Sequence, residues 1–305
     1  MHCLVVGYGS IGARHAEILA GLGHEVAVIT ARTDAPWPRY RDVAAALAAR
    51  DFGYLVIAGP TEQHHAALVA AAAAGFSGAV LVEKPLFSAP AALPADNFSS
   101  LHVGYNFRFD PLIQRLRRRI AERPVHTFSV YCGQHLASWR KGRDYRQCYS
   151  AHRAGGGGAL RDLSHELDYA SWLLGGWSRT TALGGRCGDL EIDSDDAFAL
   201  LLVTPRCPLV QIQVNYLDRI SQRVVIANLE GLTVRADLVT GQFQENDQVI
   251  DLARERNASF IAQHQAVLTG AGGESLCTLE QGLEVLKLIA GAEQAARERV
   301  WVERC

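Results

Sequence analysis

The chain has 305 residues, too many for one ordinary domain and suited to two, and with 49% apolar residues each half can bury a sizeable core. Lys and Arg total 30 against 32 Asp and Glu, a formal charge of -2, which gives no electrostatic reason to expect nucleic acid or an anionic membrane as a partner. The seven cysteines are odd in number and none has C-x-x-C spacing, so neither a disulfide framework nor a metal site is expected and a reducing compartment fits. The opening Met1-His2-Cys3-Leu4-Val5-Val6-Gly7 runs straight into a strand, so no signal peptide is expected. No apolar stretch is long enough to span a bilayer, and a cytoplasmic location is the expectation.

Residues 2–6 form an apolar run, as in a parallel strand buried on both faces. Ile11 to Leu22 reads as a helix closed by Gly23, and Glu25 to Ile29 as the second strand. Asp42 to Arg50 is helical, Tyr54 to Ala58 a third strand, Gln63 to Ala74 an alanine-rich helix. Ala79 to Val82 and Leu101 to Tyr105 supply a fourth and a fifth strand. Strands alternating with helices predict βαβ units and a parallel sheet. One crossover departs from this rhythm. Ser88 to Ser100 contains Pro90 and Pro94 and has no helical period, so a short or broken connection is expected.

The pattern changes near residue 107. Leu112 to Ala121 reads as a helix, and its basic run Arg115-Leu116-Arg117-Arg118-Arg119 as a solvated face. Pro124 to Cys132 reads as a strand. The glycines 155–158 feed a helix over Leu163 to Leu174. Ala197–Val203, Leu209–Tyr216, Gln222–Leu229 and Leu232–Leu238 are consecutive strands with short turns, which predicts an antiparallel sheet. Thr278-x-x-Gln281 is a capping box that opens a last helix to about residue 298. The expected fold is an α/β Rossmann domain with a doubly wound parallel sheet over 1–107. An α+β domain with an open, largely antiparallel sheet follows over 108–305.

Gly7-Tyr8-Gly9-Ser10-Ile11-Gly12 fits G-x-G-x-x-G between a buried strand and a helix at the start of a βαβ unit. The glycines allow a tight turn, approach of pyrophosphate to the backbone and close helix–strand contact. The helix start offers free N–H groups and its positive dipole end to phosphates. After the second strand, an NAD site usually carries an acidic residue for the ribose 2′-hydroxyl. Here stand Thr30 and, two places on, Arg32. A hydroxyl and a guanidinium suit a 2′-phosphate, so NADP(H) is expected to be preferred and NAD(H) accepted.

Three further segments carry a family resemblance: Gly59-Pro60-Thr61-Glu62-Gln63-His64, Glu83-Lys84-Pro85 and Gly104-Tyr105-Asn106-Phe107-Arg108-Phe109. Together with the glycine motif, the chain resembles the Gfo/Idh/MocA family of oxidoreductases across its N-terminal domain and into the second. The resemblance implies that Gly7, Tyr8, Gly9, Ser10, Ile11, Gly12, Gly59, Pro60, Thr61, His64, Glu83 and Lys84 line the cofactor. It implies that Lys84 contacts a substrate hydroxyl and shuttles its proton. That role is chemically reasonable, because a free lysine titrates near ~10.4 and desolvation or a cationic nicotinamide would bring it towards working pH.

The segment Gly155-Gly156-Gly157-Gly158-Ala159-Leu160-Arg161-Asp162-Leu163-Ser164-His165-Glu166-Leu167-Asp168 resembles the family's second motif, in which a His follows an Asp by four residues. Here the spacing between Asp162 and His165 is three. Spacings of three and four both keep two groups on one helix face, with the ring rotated in this case. His165 is then either the proton shuttle or a substrate hydrogen-bonder beside Lys84. Asp168 either pairs with His165 across a turn or solvates the helix. Between the motifs, Trp139-Arg140-Lys141-Gly142-Arg143-Asp144-Tyr145-Arg146-Gln147-Cys148-Tyr149-Ser150 interleaves rings and arginines. It reads either as a polar loop or as a cover for a hydroxylated, anionic ligand. Trp139, Tyr145, Arg146 and Tyr149, with Arg108, Lys84 and His165, are the expected substrate contacts.

The expected reaction is reversible hydride transfer between nicotinamide and a secondary alcohol or ketone of a sugar, cyclitol or nucleotide sugar. The resemblance also implies a homodimer or homotetramer built on the outer face of the second sheet. Two other readings stay open: a reductase of an imine or unsaturated substrate, and a cofactor-binding sensor without turnover.

Overall fold

A computed structural model describes residues 1–92, 96–139, 142–252 and 255–304. Pro94 of the crossover and Arg140 and Lys141 of the interleaved loop lie outside the described residues. The chain divides into two compact units, Met1–Phe109 with Arg256–Leu283, and Asp110–Glu255 with Glu284–Cys305.

The first leg contributes β1 (His2–Val6), α1 (Ser10–Gly21), β2 (Glu25–Ile29), β3 (Arg39–Tyr40), α2 (Val43–Ala49), β4 (Tyr54–Ile57), α3 (Thr61–Ala73), β5 (Ala79–Val82) and β6 (Ser100–Val103). The strands pair in parallel in the order β6-β5-β4-β1-β2-β3. Their runs are apolar because both sheet faces are covered: Leu4, Val5, Val28, Leu55, Val56, Val80 and Leu81 are fully buried. Between β5 and β6, the described residues contain no helix or strand.

The second unit holds α4 (Pro111–Glu122), β7 (Val125–Gly133), α5 (Ala159–Asp162), α6 (Ser164–Leu174), β8 (Arg179–Gly185), β9 (Ala197–Val203), β10 (Val210–Asn215), β11 (Gln222–Leu229), β12 (Leu232–Asp237), β13 (Gln242–Glu245) and β14 (Gln248–Asp251). In the sheet order β14-β13-β12-β11-β7-β10-β9-β8, β7 with β10 is the parallel pair and the other pairs are antiparallel. Alternate residues point to opposite faces, and Phe128, Val130, Leu200, Leu202, Ile212 and Val225 take the buried side. The register puts Leu201 and Ile226 on the opposite face, with Gln211 and Ser129 between them, and both are exposed. On α4, Leu112, Ile113, Leu116 and Ile120 form one buried stripe. The opposite side of α4 is less solvated than expected. Arg115 and Arg119 both pair with Glu245 on β13, and Arg117 lies over the Trp172 ring.

The return leg adds α7 (Ala258–Thr269), β15 (Cys277–Thr278), α8 (Leu279–Glu298) and β16 (Val302–Glu303). β15 pairs antiparallel with β6 at the edge of the first sheet, and β16 with β8 at the edge of the second. Residues 256–283 thus belong to the first unit, although the sequence places everything after 107 in the second domain. The reason is local: Ala266, Val267 and Leu276 join the core formed by Val5, Leu19, Val28 and Tyr54. Asn106 donates to Ser259 at 2.7 Å, and Arg108 to Gln281 at 2.6 Å.

Candidate active site

In the first unit, the glycine motif is shaped by contact distance. Gly7 has φ of +93°, and a Cβ there would meet Gly59 Cα at 2.5 Å. A Cβ on Gly12 would fall 2.0 Å from the Gly7 carbonyl oxygen. Gly9 differs: it is the N-cap of α1, and a Cβ on it would meet nothing within 4 Å. Gly7 and Gly12 therefore close the strand–helix turn, while Gly9 leaves open space at the helix start, the cradle a pyrophosphate needs. The loops after β1, β4 and β5 bring Gly7, Gly59 and Lys84 to the same carboxyl edge of the parallel sheet. Pro60 and Thr61 open α3 on that edge. His64 is 1% exposed, its Nε2 3.0 Å from the Gly59 carbonyl and its Nδ1 3.1 Å from that of Leu86, so it braces these two loops.

Beyond β2, Thr30 Oγ1 accepts from the Arg32 N–H at 3.1 Å. The exposed Arg32 guanidinium lies 5.7 Å from the Tyr8 ring centroid and makes a two-point pair with Asp34. Asp34 was not among the residues expected here. Its hydrogen bonds to Arg32 hold its carboxyl below the ordinary range.

Glu83 is 6% exposed and turns into the unit rather than towards an open cleft. It accepts from His15 Nε2 at 2.9 Å and from the Lys84 N–H at 3.1 Å. Burial pushes its carboxyl up, but His15 and Lys84 outweigh this and hold it below the usual value. A Cβ on Gly104 would reach Glu83 Oε1 at 2.9 Å, so the glycine that follows β6 makes room for this carboxylate. Lys84 itself is half-buried and precedes a cis Pro85. It is one of three lysines, with Lys141 and Lys287, among 30 basic residues. Arginine cannot release its proton near neutral pH, whereas lysine can. Arg108, an expected substrate contact, is 2% exposed and belongs to the core of this unit.

In the second unit, Asp162 is 5% exposed and receives two phenols: Tyr149 donates to Oδ1 at 2.8 Å and Tyr216 to Oδ2 at 2.6 Å. Tyr149 remains 45% exposed, which leaves this cluster open on one side. Tyr216 was not legible as a site residue because it sits at the end of an ordinary strand pattern. Asp162 and His165 do not share one helix as expected. Asp162 closes α5, Leu163 breaks the backbone with φ of -97° and ψ of 29°, and His165 is the second residue of α6. Asp168 is 1% exposed and therefore does not solvate the helix. Glu166, wholly buried, pairs with Arg223 on β11 at 2.9 Å.

The glycine run makes α5 possible. A Cβ on Gly157 would lie 2.2 Å from the Tyr149 carbonyl oxygen, and one on Gly158, with φ of +125°, 2.1 Å from Asp195 Oδ1. Asp195 caps α5 from afar, accepting the Leu160 N–H at 2.9 Å, and burial pushes its carboxyl up to about 6. The interleaved loop folds onto a small core of its own, where Trp139 meets the Tyr216 ring edge-on at 5.1 Å. Tyr145 OH accepts from the Glu191 N–H, and Arg146 is held by Asp144 and Glu191.

Residues 1–95 match the model of an oxidoreductase family with an NAD-binding Rossmann fold, GFO_IDH_MocA. Residues 113–232 match the GFO/IDH/MocA C-terminal domain. The chain belongs to the Gfo/Idh/MocA family. Comparison with curated protein sequences gives no match. Among solved structures, GenD2 from gentamicin A biosynthesis in complex with NAD is 24% identical with a TM-score of 0.81, over 99% of this chain and 96% of that one. Levoglucosan dehydrogenase in complex with NADH and L-sorbose is 15% identical with a TM-score of 0.83, over 100% and 99%. An oxidoreductase from Agrobacterium radiobacter in complex with NAD+, L-tartaric acid and magnesium is 18% identical with a TM-score of 0.80, over 99% and 98%. These likenesses establish a shared fold. No helix among the described residues is long and apolar enough to cross a membrane.

Proposed function

We propose that this member of the family is a nicotinamide-dependent dehydrogenase acting on a secondary alcohol or ketone of a sugar, cyclitol or nucleotide sugar. The observation that carries the reading is Lys84. It is the sole lysine in the sequence of the first unit, at the carboxyl edge of the parallel sheet beside the glycine loop. Gly7, Tyr8, Gly9, Ser10, Ile11 and Gly12 would hold the dinucleotide, with Gly59, Pro60 and Thr61 on the same edge. When bound, the cofactor supplies hydride acceptance and donation. Lys84 holds and releases the substrate hydroxyl proton. Asp162, fixed by Tyr149 and Tyr216, and His165 orient the hydroxyls of the sugar.

The preferred cofactor in this reading is NADP(H). The Arg32–Asp34 pair is exposed and so weakly held. A dianionic 2′-phosphate can replace Asp34 as the partner of the guanidinium. NAD(H) is also accepted, because Asp34 offers a carboxylate to a 2′-hydroxyl. Arg32→Ala is expected to lower the ratio of NADP(H) to NAD(H) affinity, read by reduced-nicotinamide fluorescence. An unchanged ratio removes Arg32 from the argument. The proposed assembly is a homodimer or homotetramer through the sheet face that carries Leu201 and Ile226.

The deciding experiment screens polyols, cyclitols and nucleotide sugars with NADP(H) and follows absorbance of the reduced nicotinamide. Lys84→Ala is expected to lower kcat at least ~10²-fold on any substrate found. Activity largely intact in Lys84→Ala refutes the alcohol reading in favour of an imine or unsaturated substrate. Cofactor binding without turnover on the whole panel favours a sensor.

A further inference from the structure

A chain of buried polar groups ends on Glu83, the residue before Lys84, and its other members lie outside the sequence motifs. Tyr54 OH lies 2.9 Å from His264 Nδ1, His264 Nε2 2.8 Å from His15 Nδ1, and His15 Nε2 2.9 Å from Glu83 Oε1. Tyr54, His15 and His264 are each 0% exposed. They come from β4, α1 and α7, three elements of the first unit that meet only after the chain has left it and returned.

The ends of the chain set its direction. An ionised Glu83 can only accept, so His15 Nε2 carries a proton and donates it. With both rings neutral, His264 Nε2–H then donates to His15 Nδ1, and Tyr54 O–H donates to His264 Nδ1. Every bond points towards Glu83, and each polarises the next. Burial, before any other cause, keeps His264 well below the usual histidine value. Burial likewise raises Tyr54, with Cys3 and Glu83 adding to the effect. The other groups packed around the chain are Phe260, edge-on to His15 at 5.6 Å, and Arg14 over the Phe260 ring.

We propose that His15, His264 and Tyr54 are positioning residues that lock the Glu83 carboxylate against the Lys84 backbone and so set how readily the Lys84 amine gives up its proton. This rests on the reading of Lys84 as the proton carrier, but its test does not use turnover. Buried carboxylates without donors take up a proton or move, and the charge beside Lys84 would go with them. Helix α7 on this view does more than complete a core, since it delivers the ring that orients His15.

The experiment is competitive acylation with acetic anhydride at pH 8, read by peptide mass spectrometry as the labelling of Lys84 relative to Lys287, a lysine of the second unit. Glu83→Gln removes the charge itself and sets the ceiling. His15→Leu and His264→Leu are expected to raise the ratio at least ~3-fold, the change that half a unit in the protonation equilibrium produces. His15→Gln, which keeps a donor near the place of Nε2, is expected to stay closer to wild type. Circular dichroism identifies any variant that unfolds, and Tyr54→Phe, which loses one oxygen, then decides. A ratio unchanged from wild type in Tyr54→Phe, or in folded His15→Leu and His264→Leu, overturns the proposal. That result leaves the role of Lys84 standing, whereas an active Lys84→Ala would remove that role without touching the labelling result.

Discussion

Replacing His264 by Gln should flatten the pH dependence of stability of the first unit. His264 is 0% exposed, and burial holds it far below the 6.5 of an unfolded histidine. Below pH 6.5 the unfolded chain takes a proton on this ring while the folded one does not, so stability rises with pH across that window. The contribution is complete above 6.5 and is lost as pH falls towards the folded-state value. Between pH 7.5 and 5.5 the loss from this one ring is about 1.4 kcal/mol. The chain has 11 histidines, so the wild-type slope alone proves nothing. The difference between wild type and His264→Gln isolates the ring, because contributions of distant groups cancel. Hydrogen exchange of peptides over β4, corrected for intrinsic rates, reads the opening free energy of this unit without assuming that both units unfold together. The variant is expected to lose about 1.4 kcal/mol less than wild type over that interval. An equal loss in both proteins would mean that the folded protein protonates His264, and the direction of the Tyr54–His264–His15 chain would be wrong.

Two glycines of the first motif should separate folding from binding. Gly12→Ala puts a Cβ against the Gly7 carbonyl, where the obstacle is backbone, and is expected to cost at least ~1–3 kcal/mol of stability in denaturant titration. Gly9→Ala faces open space, so it should leave stability unchanged and weaken cofactor binding at least ~10-fold in fluorescence titration; full affinity in Gly9→Ala would place the pyrophosphate elsewhere. In the second unit, Arg223→Met leaves the wholly buried Glu166 without its cation and should destabilise by about 3–5 kcal/mol. The double variant Glu166→Gln with Arg223→Met should recover much of that loss, and failure to recover would show that Arg223 stabilises by packing instead.

What the sequence disclosed follows from the range of the interactions. The parallel sheet was legible because its strands are buried on both faces and alternate with helices. The glycine motif was legible because the contacts of Gly7 and Gly12 are made within one turn, apart from the close approach of Gly59. The return of residues 256–283 was not. α7 places Ala266 and Val267 in the core but buries Gln263 and His264 beside them, which blurs its apolar face, and it is tied down as well by single polar contacts: Ser259 with Asn106, and His264 with His15 and Tyr54. The helix break at Leu163 was equally hidden. Asp195, which arrives from 35 residues further along, caps the start of α5, while the break itself lies in the Leu163 backbone. A spacing argument for Asp162 and His165 presumes a continuous helix, and nothing local signals the interruption.

The motifs that carried the family resemblance also gain a physical reason to occur together. Gly104 lacks a side chain because Glu83 fills the place a Cβ would need. Glu83 can be buried as a carboxylate because His15, three residues past the last glycine of the first motif, faces it from α1. Glu83 and Gly104 thus share one contact, and the helix that the first glycine segment opens brings His15 to the same carboxylate. The segment beginning at Asp162 obeys a different constraint. Its carboxylate is satisfied by hydroxyls, and Tyr149, one of the two donors, is still exposed to solvent. A carboxylate bonded to hydroxyls can exchange a phenol for another hydroxyl at little cost in hydrogen bonding.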